Sequence, residues 1–91
     1  MRIEPVEIYS DASNLAVMRH PGRQYPGILI QGDSLYVLSQ RLDQLCETLR
    51  GRIGQDEFEE LDDLRDELRG RLDHYRTVLT DHGIRLPFGG P

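Results

Sequence analysis

The chain changes its hydrophobic period once. Up to about residue 31 apolar residues alternate with polar ones or come in short runs, and from Ser34 onward they recur at three- and four-residue steps. Val6-Glu7-Ile8-Tyr9 alternates and is rich in β-formers, which predicts a strand over 6–9, starting after Pro5. Ser10 to Asn14 is a cluster of small polar residues, a turn by composition. Leu15 to Arg19 carries apolar groups on both faces, as a central strand does rather than an edge strand. Ile28-Leu29-Ile30-Gln31 is the third expected strand. The simplest sheet is an antiparallel meander with the second strand in the middle.

Two helices follow. Leu35, Leu38, Leu42, Leu45 and Leu49 form one apolar stripe on a helix expected over 34–50, with Gly51 and Gly54 to end it. Asp56 with Glu59 reads as a capping pattern for a second helix over 57–82. Its stripe is Leu61, Leu64, Leu68, Leu72, Tyr75 and Leu79, and Gly83 closes it. Because that period survives Gly70, the helix is expected to run through it, at about 1 kcal/mol against Ala. At 1.5 Å per residue the helices span about 25 Å and about 39 Å, so the second overhangs the first. The tail, 84–91, carries Leu86 and Phe88 and is expected to lie against the body.

The seam between the two periods is Arg19 to Leu35, R-H-P-G-R-Q-Y-P-G-I-L-I-Q-G-D-S-L. His20-Pro21-Gly22-Arg23 and Tyr25-Pro26-Gly27-Ile28 both fit type II turns, with Pro presetting φ and Gly accepting a positive φ after it. Two such turns make a stiff loop. Gly32, Asp33 and Ser34 then supply the residue types that start helices, with Asp33 or Ser34 as the expected cap. Any binding site is expected here, at Arg19, His20, Arg23, Tyr25, Gln31, Gly32, Asp33 and Ser34.

Composition narrows the classes. Ninety-one residues make a single domain, 1–91: sheet and turn block to residue 33, helical hairpin over 34–83, then the tail. No apolar run approaches the roughly 18 residues of a membrane span, and the N-terminus lacks a signal peptide's apolar stretch. A cytoplasmic protein with no membrane partner is therefore expected. The lone Cys46 agrees, offering neither a disulfide framework nor a thiolate cluster. The net charge of −5 resides entirely in residues 56–91, and such a field repels phosphate backbones, so no nucleic-acid partner is expected. Every basic residue is arginine, as a GC-rich genome would favour. The acidic run from Asp56 to Glu67 fits a solvated helix face, or a surface for a basic partner.

Candidate chemistry is sparse. Gly32-Asp33-Ser34-Leu35 resembles the motif of the GDSL esterases and lipases, whose Ser is the nucleophile after a strand. That family's later D-x-x-H pair has no counterpart, since His74 and His82 stand beside Asp73 and Asp81. A triad is a geometry of three residues with an oxyanion hole, so a capping role is the better reading and no catalytic residue is assigned. An anion could instead meet the free N–H groups of the helix start, with Arg19 and Arg23 reaching over. Three histidines and one cysteine show no metal spacing, and no cofactor is expected. Gly89-Gly90 is similar to the end of ubiquitin-like modifiers, but Pro91 follows it and half the chain is helical.

The block R-x-P-G-R-x-x-P-G-x-x-x-Q-G-D-S-L, from Arg19 to Leu35, resembles a small family of uncharacterised bacterial proteins of about this length, a domain of unknown function. The resemblance extends from Val6 to the His82-Gly83-Ile84 end and implies a compact bacterial domain centred on the loop, with no activity attached. The expected fold is α+β in two layers, a three-stranded antiparallel sheet followed by and packed against an antiparallel helical hairpin. The expected function is a non-enzymatic protein-interaction module: an adaptor, an immunity-type inhibitor or a small regulatory subunit. Its partner would be another protein, or a second copy bound through the overhanging second helix. The alternative is a binder of, or enzyme on, a small anionic ligand at Gly32–Ser34 with Arg19 and Arg23.

Overall fold

In the computed structural model, which describes residues 1–89, three strands precede two helices: β1 (Glu7–Ser10), β2 (Ala16–Arg19), β3 (Gly27–Leu29), α1 (Gly32–Leu49) and α2 (Gln55–Asp81). The sheet is antiparallel with β2 in the middle, the place its two-sided apolar pattern requires. Glu7 faces Arg19 and Ile8 faces Met18 across β1–β2, while Val17 faces Ile28 and Ala16 faces Leu29 across β2–β3. A bulge between Ile8 and Ser10 interrupts the first ladder. The connecting turn closes with the Leu15 N–H donating to the Ala12 carbonyl (2.9 Å), and Asn14 takes the left-handed conformation (φ 57°) its short polar side chain tolerates.

α1 stops at Gly51 (φ 74°), and α2 runs unbroken through Gly70, whose missing side chain faces open space. α2 ends in a Schellman motif. The Ile84 N–H donates to the Leu79 carbonyl (2.8 Å) and the Gly83 N–H to that of Thr80 (3.1 Å), with Gly83 at φ 68°. The tail folds back as expected: the Phe88 ring lies 4.5 Å from Tyr36 and 6.4 Å from Tyr75, centroid to centroid, and the Arg76 guanidinium sits over it at 5.2 Å. Gly90 and Pro91, the end of the tail and of the Gly89-Gly90 pair, lie outside the described residues.

The helices pack on each other, but the sheet does not lie on them. No strand comes within 8 Å of either helix, Cα to Cα. From the sheet half, the Asn14 turn and Ile30 draw alongside α1, across a shallow cleft of about 430 Å³. What α1 turns toward α2 is mostly small. Gly32, Leu35, Ser39 and Cys46 are its buried positions, and three of the four are small. Small residues at a helix seam suit a close approach of the two axes. The expected stripe therefore splits: Leu35 enters the seam, while Leu38 and Leu45 stay exposed.

The result is an elongated molecule, 48 × 30 × 22 Å with a radius of gyration of 16.2 Å, where a compact chain of this length would have about 12 Å. Its accessible surface is 7264 Å² against about 5,400 Å² expected for a compact protein of this mass. Leu35, Cys46 and Leu72 are the buried hydrophobic residues among those described, with Ser39 beside them.

Candidate functional site

Of the eight residues singled out between Arg19 and Ser34, five fall into two groups, each at its own cleft, and Tyr25, Gln31 and Gly32 line neither. Arg19, His20 and Arg23 share an open cleft of about 460 Å³ with Pro5, Val6, Glu7, Pro21 and Gly22. The first Pro-Gly turn shapes it: Gly22 has φ 81°, and the Arg23 N–H donates to the His20 carbonyl at 3.1 Å. The second turn differs from expectation. Gly27 does not take a positive φ and is instead the first residue of β3, opposite Met18. Strand pairing uses the backbone that the turn would have bent.

Arg19 is not free to reach a ligand at the helix start. Its Nε donates to Glu7 Oε1 at 2.8 Å, its second terminal nitrogen pairs with the same oxygen, and Tyr9 Oη donates to Glu7 Oε2 at 2.8 Å. The Arg19 hydrogen bonds hold the Glu7 carboxyl below its ordinary value of 4.5, with Tyr9 adding to the shift. Glu7 in turn raises the Tyr9 phenol and the Arg19 guanidinium. A carboxyl depressed on folding contributes stability above its unfolded pKa and loses it as pH falls through the folded one. Glu7 is therefore expected to titrate below 4.5 in a side-chain NMR titration and to move back up in Arg19→Gln. An unchanged midpoint in that variant would refute the cross-strand pair.

Asp33 and Ser34 belong to the second group, with Asn14, Ile30, Val37 and Leu38 around the cleft at the start of α1. Neither is the cap. The cap position is Gln31, which makes no side-chain capping bond, and Asp33 accepts the Ser34 N–H at 2.8 Å from inside the first turn. α2 likewise starts one residue before Asp56, with Gly54 at its cap position. Gly32 is buried beneath the Tyr75 ring, which occupies the space a side chain would need. Gln31 is exposed, and Tyr25 stands 74% exposed in the turn block, lining neither cleft.

Three contributors went unnoticed in the sequence: Glu7, Tyr9 and Tyr75. The signal for Glu7 was available, because a hairpin centred on the Ser10–Asn14 turn sets Glu7 opposite Arg19. Tyr75 was visible only as a stripe residue, with nothing to say that a glycine would face it. The cleft holding Ser34 contains no histidine, and among the described residues no three His, Cys, Asp or Glu side chains group as metal ligands would. No described helix is long and apolar enough to cross a membrane.

No curated protein and no solved structure matches the chain. The model of a family of unknown function (DUF6959) does, over residues 1–88, and the chain belongs to that family.

Proposed function

We propose that the protein is a non-enzymatic protein-interaction module of a bacterial cytosol, an adaptor, an inhibitor or a small regulatory subunit. The observation that carries this reading is the uncovered sheet. Ile8 and Leu29 on one face and Ile28 on the other are more than half exposed, on strands that no helix backs. A three-stranded sheet with both faces open is completed by something outside it, since apolar patches of this kind mark interaction sites. The turn block beside it offers Arg23 and Tyr25, both exposed, and those residue types dominate interface hot spots. Neither a nucleic acid nor a membrane suits a chain of net charge −5.

The anionic-ligand alternative has less behind it. Arg19 is engaged by Glu7, Asp33 adds negative charge to the helix start, and Gly32 lies under Tyr75. One experiment separates the two readings. Arg23→Ala and Tyr25→Ala are expected to leave stability within about 0.5 kcal/mol, as ordinary surface changes do. Each should weaken a protein captured by the wild-type chain, and then reconstituted from purified components, by about tenfold or more, about 1.4 kcal/mol. If inorganic phosphate instead raised the melting temperature of the wild type and not of Arg23→Ala, the ligand reading would replace this one. Unfolding of both variants would make the turn block a structural clamp.

A further inference from the structure

The two broad sides of the helical hairpin are unlike. On one side polar and aromatic groups are matched within the chain: Arg69 pairs with Asp43 at 2.8 Å, Arg50 covers Phe58 at 5.1 Å, and the tail's Phe88 lies on Tyr36. On the other side nothing matches the leucines. Leu38 (42% exposed), Leu45 (46%) and Leu64 (53%) stand on it, with Leu42 and Leu68 between them. Leu38, Leu42, Leu45 and Leu68 line, with Arg41, an apolar groove of about 430 Å³ along α1, and Leu64 stands exposed beside it. The groove runs on through Leu38 into the cleft at Ile30.

We infer that this leucine side is the interface with a second copy of the chain, two hairpins closing face to face into an antiparallel four-helix bundle. The inference rests on the hairpin alone and is independent of what the sheet binds. Two helices cannot enclose a core, and four packed this way do, with leucines at the inward positions. The area agrees. The whole chain, uncovered sheet included, exposes about 1,800 Å² more than a compact protein of its mass, which leaves room for the roughly 800 Å² that a standard interface takes from each partner.

Charge on the rim specifies a second copy rather than an arbitrary helix. Gly32 lies against Tyr75, and the Cys46 sulfur meets the Leu61 carbonyl at 4.0 Å, which places Arg41 level with Asp66 and Glu67. On this side Arg41 is the one charged residue of α1, exposed and without an ion pair among the described residues. The outer edge of α2 at the same height carries Glu67, whose one ion pair among the described residues is a long contact to Arg71 (3.8 Å). A two-fold axis parallel to the helices sets each α1 against the partner's α2 at unchanged height. Arg41 of each copy then meets Glu67 of the other, a self-complementary pattern of the kind a C2 interface needs. Axes that stack α1 on α1 would oppose Arg41 to its own copy. The α2 overhang is less suited to the role, because the tail already covers Tyr75 and Arg76 at its base.

Sedimentation equilibrium tests this directly. The full chain is expected at twice its 10.5 kDa mass at micromolar concentration. Leu45→Glu would bury a charge in the interface and should weaken the dimer by about a hundredfold or more while circular dichroism keeps its helical signal. Arg41→Glu and Glu67→Arg change exposed residues only, so folding is not at stake. Each alone should weaken the dimer by about tenfold, and the two together should restore most of it. A wild type that stays at the mass of one chain at about 100 µM, or a Leu45→Glu dimer as tight as wild type, overturns the interface. A double charge variant no tighter than its singles overturns the pairing of α1 with the partner's α2.

Discussion

Leu72→Ala is expected to lower stability by about 2–5 kcal/mol, the range for deleting a buried leucine and leaving part of its cavity behind. Leu72 is 5% exposed in the middle of α2, level with Leu35 at 8% across the seam. These two and Cys46 are the whole buried apolar set among the described residues, so no neighbouring core can absorb the loss. The margin is small as well. The folded chain leaves 7264 Å² exposed, so it buries only about half of its unfolded surface, against about 64% for a compact chain of this mass. Stability at the low end of the usual range of about 5–15 kcal/mol follows, and Leu72→Ala should bring the protein close to its unfolding midpoint in water. Urea titration followed by helical circular dichroism measures the effect. The volume-conserving Leu72→Met should cost less than about 1.5 kcal/mol in the same assay. A Leu72→Ala midpoint indistinguishable from wild type would mean that the hairpin is held by something other than its seam.

The elements were legible because each follows from a local pattern. β2 carries apolar residues on both faces and is central; the leucine period survives Gly70 and so does α2; α2 closes at Gly83 with one backbone bond from Gly83 and one from Ile84. What was not legible is how the elements pair in space. Period alone says that Leu35, Leu38, Leu42 and Leu45 share a broad stripe, yet the seam is centred on Gly32, Ser39 and Cys46, residues with no hydrophobic signal of that strength. A seam centred on small residues turns half the stripe outward, and no strand covers the half so exposed.

The candidate site was legible in its first half only. Pro21 and Gly22 build the turn that groups His20 and Arg23, and both residues act through their own φ preference. The second Pro-Gly pair failed the same reasoning because Gly27 entered the sheet, where pairing with Met18 outweighed turn chemistry. Asp33 and Ser34 fit a capping pattern but lie inside the helix, since α1 begins two residues earlier than expected, at Gly32. The spread of Arg19 to Ser34 over two clefts is a matter of three-dimensional arrangement that no spacing along the chain records.

Gly32→Ala should cost about 1–3 kcal/mol, as inserting a methyl group into a filled space does. A Cβ built on Gly32 falls against the Tyr75 ring, at Cζ, Cε1 and the hydroxyl. The ring could yield only by leaving its place between Gly32 and Phe88, which would loosen the tail along with it. Helix propensity works in the opposite direction, favouring Ala over Gly by up to about 1 kcal/mol, so any net loss reports the packing. The decisive comparison is a double-mutant cycle. In a Tyr75→Ala background the same Gly32→Ala change should be neutral or stabilising, giving a coupling of at least about 1 kcal/mol between the two positions. On the ligand reading Gly32 is small so that an anion can approach the backbone, and Gly32→Ala would then abolish a phosphate-dependent rise in melting temperature without destabilising the apo chain. A neutral Gly32→Ala in both backgrounds would show that Tyr75 swings away at no cost, and the packing role of Gly32 would be lost with it.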